Sequence, residues 1–169
     1  MNKITVLKSL DGIIGQGVCL LSAPRSTSHI PADIGRVLLI RPGGIGDAVL
    51  LLPVVEALKL RYPEAHIAVL AERRNSAIFG LSTHVNAVYR YDLPRELLAV
   101  LRGRYDVVID TEQWHRMSSI VARLVNAPVA IGYATNERKR AFSHPVPYSP
   151  YDQESASFFA RLAPCGVSD

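Results

Sequence analysis

The sequence has 169 residues, 49% of them hydrophobic, which suits one well-buried core and leaves too little chain for two domains of ordinary size. Its formal net charge of +4 suits an anionic partner, such as a phosphorylated substrate, an acidic membrane surface or nucleic acid. The two cysteines, Cys19 and Cys165, are far apart and lack zinc-site spacing, so neither a disulfide framework nor a zinc centre is predicted and a reducing, cytoplasmic setting is expected.

Residues 1–34 are predicted to be an extension that precedes the folded domain. Their apolar side chains recur at nearly helical spacing and predict a short amphipathic helix, with Ile4, Leu7, Leu10, Ile13 and Ile14 on its apolar face. Such a helix either packs on protein or lies on a membrane surface. Charged residues interrupt the stretch, so no secretory signal is predicted, and no apolar run reaches the roughly 18 residues that cross a bilayer.

From residue 35 to residue 169, short apolar runs alternate with segments of helical periodicity. The runs predict five strands, at residues 36–40, 66–70, 87–91, 106–110 and 129–133. The other segments predict helices at residues 46–61, 73–81, 94–102, 115–125 and 152–162. Most of the strands are continuously apolar, as expected for strands covered on both faces. The order predicts an α/β fold, a Rossmann-like doubly wound parallel sheet with right-handed crossovers.

The loop after the first strand, RPGGIGDAVLLLP at residues 41–53, partly matches the dinucleotide fingerprint GxGxxG. Gly44 and Gly46 fit its first two glycines, but Val49 takes the third place, and Glu72 would mimic the ribose-binding acid. Asp47 occupies the helix start where a pyrophosphate would bind, and its charge would repel that group. Asp47 is therefore either a helix cap that binds N–H groups of the first turn or a general base that faces a ligand.

A second polar region, IGYATNERKRAFSHPVPYSP at residues 131–150, is rich in proline and charge and is predicted to be a connection outside the core. Residues that follow the predicted strands should meet at the ligand-binding edge of the sheet. Among them, Arg41 either steers an anionic substrate or forms a surface salt bridge with Asp47. Glu112 and His115 would share a helix face, but without a third ligand no metal is predicted.

The stretch RVLLIRPGGIGDAVLLLPVVEALKLRYPEAHIAVLAE, residues 36–72, resembles the amino-terminal half of the heptosyltransferase-like glycosyltransferases, the bacterial ADP-heptose:lipopolysaccharide family. The shared features are a strand, an Arg-x-x-x-x-Gly-Asp loop, a helix interrupted by proline, and the pair YP before the second strand. The similarity continues through YDVVIDTEQWHRMSSIVARLVNAPVAIGY, residues 105–133, and into the carboxyl-terminal residues.

The resemblance implies the GT-B fold, in which two Rossmann-like domains face a cleft. Residues 35–169 would be the acceptor-side domain, and the donor-binding second domain would be absent from this chain, which is expected to be an inactive fragment on its own. Asp47 matches the family's proposed catalytic base in an inverting transfer that needs neither a metal nor a cofactor. The implied donor is ADP-heptose, and the implied acceptor is a lipid-linked or lipopolysaccharide-core glycan.

The family also implies a cytoplasmic protein with peripheral contact to the inner membrane, and no nucleic acid is expected as a partner. The residues expected to bind substrate are Arg41, Gly43, Gly44, Gly46, Glu112, Trp114, His115, Arg138, Lys139 and Arg140. Trp114 would stack on a sugar or be buried in the core. The basic cluster at residues 138–140 would anchor acidic groups of the acceptor, helped by Arg73, Arg74 and Arg116, or form a solvated loop face. The alternative function is a nucleotide- or dinucleotide-binding module without transferase activity.

Overall fold

The computed structural model of the chain describes residues 17, 20, 23–26, 29–151 and 162–166. The predicted amphipathic helix of the extension and Cys19 lie outside the described residues, as does nearly all of the helix predicted at 152–162. The strands are β1 Arg36–Arg41, β2 His66–Ala71, β3 Ala87–Arg90, β4 Val107–Asp110, β5 Val129–Tyr133 and β6 His144–Val146. The α-helices are α1 Ile45–Leu50, α2 Leu52–Arg61, α3 Ser76–Phe79, α4 Pro94–Arg102 and α5 Arg116–Leu124.

The six strands form one parallel sheet in the order β3, β2, β1, β4, β5, β6. Val37 in β1 is in register with Ile67 of β2 on one side and with Val107 of β4 on the other. After β1 the chain first builds one half of the sheet and then crosses to the other half at β4. The predicted doubly wound sheet is therefore confirmed, and the strand order reverses beside β1, where open α/β sheets bind their ligands.

Apolar residues of each central strand alternate between two cores. Val37 and Leu39 of β1 pack into the core on one face of the sheet. Leu38 and Ile40 pack into the core on the other face. The continuously apolar runs thus belong to strands covered on both faces, as predicted. In the part of the chain that the structure describes, none of the helices has the length and apolarity required to cross a membrane.

Two predicted helices differ in the structure. The helix predicted at 46–61 is divided into α1 and α2 at Leu51, because Pro53 at the start of α2 has no N–H for the preceding turn. The helix predicted at 73–81 is reduced to α3, since its first residues form a turn. In that turn the Asn75 side chain accepts the Glu72 N–H at 2.8 Å and donates to the Arg41 carbonyl at 3.1 Å.

The polar stretch at residues 131–150 was predicted to lie outside the core, and that prediction is wrong. It contains a 3-10 helix, Glu137–Ala141, and supplies β6, a sixth strand that the sequence did not predict. Phe142 is buried against Gly132 so closely that a Cβ at that position would collide with the ring. The Ser143 hydroxyl accepts the Ala130 N–H at 2.9 Å. The stretch therefore supplies the edge strand β6 and buries Phe142 and Ser143 against β5.

Candidate active site

A cleft of about 330 Å³ opens at the carboxyl edge of β1, β2 and β4, beside the reversal of strand order. Loops that follow these three strands line it, with Arg41, Pro42, Gly43, Gly44, Asp47, Glu72, Arg74, Glu112, Gln113 and His115. Eight of the residues predicted from the sequence are therefore brought together here. They are Arg41, Gly43, Gly44, Asp47, Glu112, His115, Arg74 from the expected anion-binding set and, from the dinucleotide comparison, Glu72.

The three glycines after β1 differ in backbone conformation and in the space around them. Gly43 has a φ of 109°, a conformation that side-chain-bearing residues rarely adopt. Gly44 is the N-cap of α1, and a Cβ there would lie 3.1 Å from Asp47 Oδ2. Gly46 differs from both, since a Cβ there would meet nothing within 4 Å. The turn itself therefore requires glycine at Gly43, whereas a Cβ at Gly44 would press on the Asp47 carboxylate, and Gly46 is not among the residues that line the cleft.

Asp47 lies in the first turn of α1 and does not cap that helix through its side chain. The N-cap is Gly44, without a side-chain capping bond, and Asp47 Oδ2 instead accepts a hydrogen bond from Arg41 Nη2. The Asp47 side chain is 44% exposed, whereas that of Arg41 is 4% exposed. Among the described residues, none donates a hydrogen bond to Asp47 Oδ1. The cap hypothesis is wrong, and a carboxylate oxygen faces the cleft.

Arg41 is buried, so its pair with Asp47 is not the surface salt bridge that the sequence offered as an alternative. Its Nη1 donates to the Thr111 carbonyl at 2.8 Å. Its Nη2 lies against Asp47 and 3.9 Å from Glu112 Oε2. The guanidinium therefore joins the loop after β1 to the loop after β4, and its Nη2 lies near two carboxylates.

Glu112 is held as an ionised carboxylate at the back of the cleft. Its Oε1 accepts the N–H groups of Gln113 at 2.9 Å and Trp114 at 3.1 Å. Burial by itself raises the pKa of Glu112, but these two backbone bonds and the nearby Arg41 outweigh it and keep the pKa below its usual range. Glu112 therefore remains negatively charged beside Arg41.

The prediction that Arg138 binds an acceptor is wrong, because its side chain is fully buried. Its guanidinium forms an ion pair with Asp110, donates to the Glu112 carbonyl and lies 5.3 Å from the centre of the Phe142 ring. Ser118 Oγ also donates to Asp110 Oδ2 at 2.9 Å. The charge of Arg138 is thus used inside the protein, where it holds the loop after β4.

The remaining basic residues do not form one anion-binding surface. Lys139 is exposed, while Arg140 is half-buried and donates to the Leu20 carbonyl at 2.6 Å. The three arginines expected to join the cluster have acidic partners, at 3.7 Å for Arg73 with Asp92, 2.7 Å for Arg74 with Glu72 and 2.9 Å for Arg116 with Glu137. Of all these basic side chains, the cleft lining includes that of Arg74.

Trp114 is 52% exposed, so the alternative that it is a core residue is wrong. Its indole meets the Tyr148 ring edge to face, with centroids 5.6 Å apart. Its backbone is fixed on both sides, because its N–H donates to Glu112 and its carbonyl accepts from Asn136 Nδ2 at 3.0 Å. The neighbouring His115 lines the cleft. Within the described residues, no three His, Cys, Asp or Glu side chains are grouped as a metal site requires.

The sequence analysis did not identify the buried polar residues that hydrogen-bond to the loops of this site. They are Asn75, Asp110, Thr111 and Ser118, all buried. Asp110 carried a signal that was available in the sequence, since it ends an otherwise apolar buried strand, where a charge requires a partner. Asn75 and Ser118 carried no such signal, because both residue types are common in turns and at helix starts.

The sequence matches no protein-family model. Individual proteins that resemble it in sequence or in fold are, however, glycosyltransferases of one kind. It is 32% identical over 140 residues to lipopolysaccharide heptosyltransferase 3 of Escherichia coli, a match that covers 72% of this chain and 40% of the relative. It is 28% identical over 142 residues to lipopolysaccharide heptosyltransferase 3 of Escherichia coli (strain K12), with 73% and 40% covered. The chain thus spans about two fifths of the curated relatives that it matches.

Solved structures share the fold. The E. coli heptosyltransferase WaaC with ADP superposes with a TM-score of 0.66 at 19% identity, over 79% of this chain and 48% of that one. A glycosyl transferase of family 9 from Veillonella parvula DSM 2008 gives a TM-score of 0.61 at 19% identity, over 84% and 44%. The six-stranded sheet therefore matches part of the GT-B fold of these transferases. Sequence and fold together show that the chain belongs to the heptosyltransferase-like glycosyltransferases.

Proposed function

We propose that this chain is the acceptor-binding and catalytic-base part of an inverting glycosyltransferase that transfers heptose to a lipopolysaccharide-core or related glycan. The observation that carries the proposal is the position of Asp47. Its carboxylate is half-exposed in the cleft at the carboxyl edge of the sheet, and the buried Arg41 holds one of its oxygens. A fixed carboxylate with one oxygen directed to a ligand is what general-base catalysis requires.

The proposed reaction is a single displacement. Asp47 Oδ1 accepts the proton of an acceptor hydroxyl, and the hydroxyl oxygen forms a bond to the anomeric carbon of the donor. The bond from that carbon to the diphosphate oxygen breaks, and the nucleoside diphosphate leaves with the bonding electrons. The configuration at the anomeric carbon is inverted, because attack and departure are on opposite faces. The reaction as proposed uses no metal and no cofactor.

The donor in this proposal is ADP-heptose, bound by a second domain that faces the cleft. The E. coli heptosyltransferase WaaC has been solved with ADP and with ADP-2-deoxy-2-fluoro heptose, which supports a donor of this class. A lipid-linked acceptor would place the reaction at the cytoplasmic face of the inner membrane.

The charges of the cleft favour a neutral, hydroxyl-rich part of the acceptor. Three carboxylates line it, from Asp47, Glu72 and Glu112, and each of the two lining arginines already has an acidic partner. Carboxylates accept hydrogen bonds from sugar hydroxyls, whereas they repel phosphate. Acidic groups of the acceptor would therefore lie outside the cleft. Trp114, on a fixed loop beside it, offers an aromatic face to a neighbouring sugar.

The same charges do not favour a dinucleotide-binding module. A pyrophosphate bound at the start of α1 would meet the carboxylate of Asp47 in the first helical turn. The arginine nearest to that carboxylate is already bound to it. NAD or ADP should therefore bind this chain more weakly than a neutral, hydroxyl-rich glycan.

The test is Asp47→Asn in a protein that contains both this chain and a donor-binding domain. We expect kcat to fall by about 100- to 10,000-fold, the usual contribution of a general base, because an amide cannot accept the proton. Acceptor affinity, measured separately on this chain by the fluorescence of Trp114, the one tryptophan of its sequence, should change little. Asp33→Asn is the matched control, since Asp33 is exposed and precedes β1 at the opposite edge of the sheet. Retention of kcat by Asp47→Asn within threefold would refute the proposal.

A further inference from the structure

We propose that Glu112 is a positioning residue that acts through Arg41, as the counter-charge that lets Asp47 be held by an arginine and still accept a proton. This inference rests on the proposed role of Asp47 as the base. It begins from a conflict in the geometry. A buried guanidinium in contact with a carboxylate stabilises the ionised form, and this makes a carboxylate a weaker base.

The position of Glu112 resolves this conflict. Arg41 Nη2, the nitrogen that contacts Asp47, is also the nitrogen that lies 3.9 Å from Glu112 Oε2. Glu112 is buried, so solvent screens its charge from Arg41 only weakly. Its other oxygen accepts two backbone N–H groups, which prevent the carboxylate from turning away. A fixed negative charge therefore lies near the same guanidinium nitrogen that contacts Asp47.

The charge balance of these three side chains explains the effect. Before proton transfer, two carboxylates share one guanidinium, and the net charge is −1. After Asp47 accepts a proton, Arg41 and Glu112 remain as a neutral pair. Without the charge of Glu112, the same step would leave a buried cation beside a neutral acid, which is costly in a protein interior. Glu112 thus lowers the cost of protonating Asp47 while Arg41 keeps it in position.

Other charged groups face Asp47 from the remaining walls of the cleft. Glu72 and Arg74, after β2, form an ion pair with each other at 2.7 Å. His115, at the start of α5, lines the same cleft, and a proton on it would act on Asp47 in the same direction as Arg41. Asp47 and Glu112 are the two carboxylates that form ion pairs with Arg41 Nη2.

The experiment follows the titration of the Asp47 carboxyl carbon by NMR in this chain. Glu112→Gln retains an oxygen for the two backbone N–H groups and removes the charge. We expect the Asp47 titration midpoint to move to lower pH, because Arg41 is then no longer neutralised. Arg41→Gln should move the midpoint to higher pH, since Asp47 then loses its cation. Glu64→Gln, an equal change of charge at an exposed site before β2, should leave the midpoint unchanged.

Opposite shifts in Glu112→Gln and Arg41→Gln would support the proposal. An unmoved midpoint in Glu112→Gln, or a shift to higher pH, would overturn it. If Glu112→Gln fails to fold, Glu112→Asp replaces it, because the shorter side chain moves the charge away from Arg41 and should give a smaller shift to lower pH. The titration requires no transfer reaction. It therefore tests Glu112 even if Asp47→Asn shows that the proposed function itself is wrong.

In the two-domain protein, the acidic limb of the pH–rate profile should shift with the NMR midpoint. Glu112→Gln should move this limb to lower pH and reduce kcat severalfold, because the base becomes weaker, while KM for the acceptor changes little. A role of Glu112 in structure alone would instead lower stability and leave the limb in place. The profile therefore separates positioning from structural support.

Discussion

Two arginine–aspartate pairs lie at the same edge of this sheet and differ in the solvent exposure of the aspartate. In the pair Arg41–Asp47 the arginine is buried and the aspartate is 44% exposed to the cleft. In the pair Arg138–Asp110 both side chains are fully buried. The residue types are the same, so the difference in access alone separates a carboxylate that can meet a substrate from one that cannot.

The buried pair supports the open one. Arg138 donates to the carbonyl of Glu112, and the carboxylate of Glu112 lies beside Arg41. Burial raises the pKa of Asp110, while Arg138 and the hydrogen bonds from Glu112 and Ser118 oppose this effect. Because a buried ion pair contributes little net stability compared with apolar residues, we infer that this pair serves mainly to fix the loop after β4.

The largest loss of folding stability should come from removing one partner of the buried pair Arg138–Asp110. Arg138→Leu leaves the carboxylate of Asp110 buried without its cation, and we expect the free energy of unfolding to fall by about 3–5 kcal/mol. Urea denaturation of the chain measures this loss. Asp47→Leu in the open pair should cost less than Arg138→Leu, because the buried Arg41 keeps Glu112 as a nearby counter-charge.

A double variant sharpens this contrast. Asp110→Leu combined with Arg138→Met removes both buried charges and should recover most of the stability that Arg138→Leu loses. If the double variant were as unstable as the single one, an unpaired charge would not be the cause. Packing against Phe142 would then explain the loss.

Intermediate changes in stability are expected when a glycine near each pair is replaced by alanine. Gly132→Ala should destabilise the chain by about 1–3 kcal/mol, because the new methyl group collides with Phe142, on which Arg138 packs. Gly46→Ala, near the open pair, meets no neighbouring atom and should stabilise α1 by about 0.5–1 kcal/mol. Thermal unfolding measures both. Equal losses in the two variants would contradict the difference in packing described here.

The smallest effect should come from the exposed charge next to the buried pair. Lys139→Ala should weaken binding of an acidic acceptor by about two- to fivefold, an effect that disappears at high salt because the side chain is exposed. Titration followed by Trp114 fluorescence measures the affinity. Lys59→Ala, at the end of α2, is the control and should have no effect. A loss that persists in high salt would indicate a buried contact instead.

The sequence predicted the sheet well because a covered parallel strand requires a continuously apolar run. The bounds of β5 and α4 are those predicted, and the loop with Asp47 lies at the predicted edge. Side-chain direction could not be read in the same way. Arg138 and Lys139 are adjacent and alike in sequence, but the 3-10 helix directs one inward and the other outward.

The exposure of Trp114 and the strand β6 had no local signal either. A lone tryptophan between polar residues fits a core position as well as a surface one. β6 has three residues, one of them proline, which is too short a run to register as a strand by its pattern. Both depend on contacts with distant parts of the chain, which periodicity does not report.

The bond from Arg41 to the Thr111 carbonyl joins residues separated by 70 positions in the chain. Between them lie the complete β2 and β3 half of the sheet, so β4 must pair with β1 across a long closed loop before the cleft exists. Closing such a loop is entropically unfavourable and slow compared with local helix formation. We therefore expect the cleft to be assembled late in folding, and the refolding rate of the chain to limit how soon it can bind a ligand.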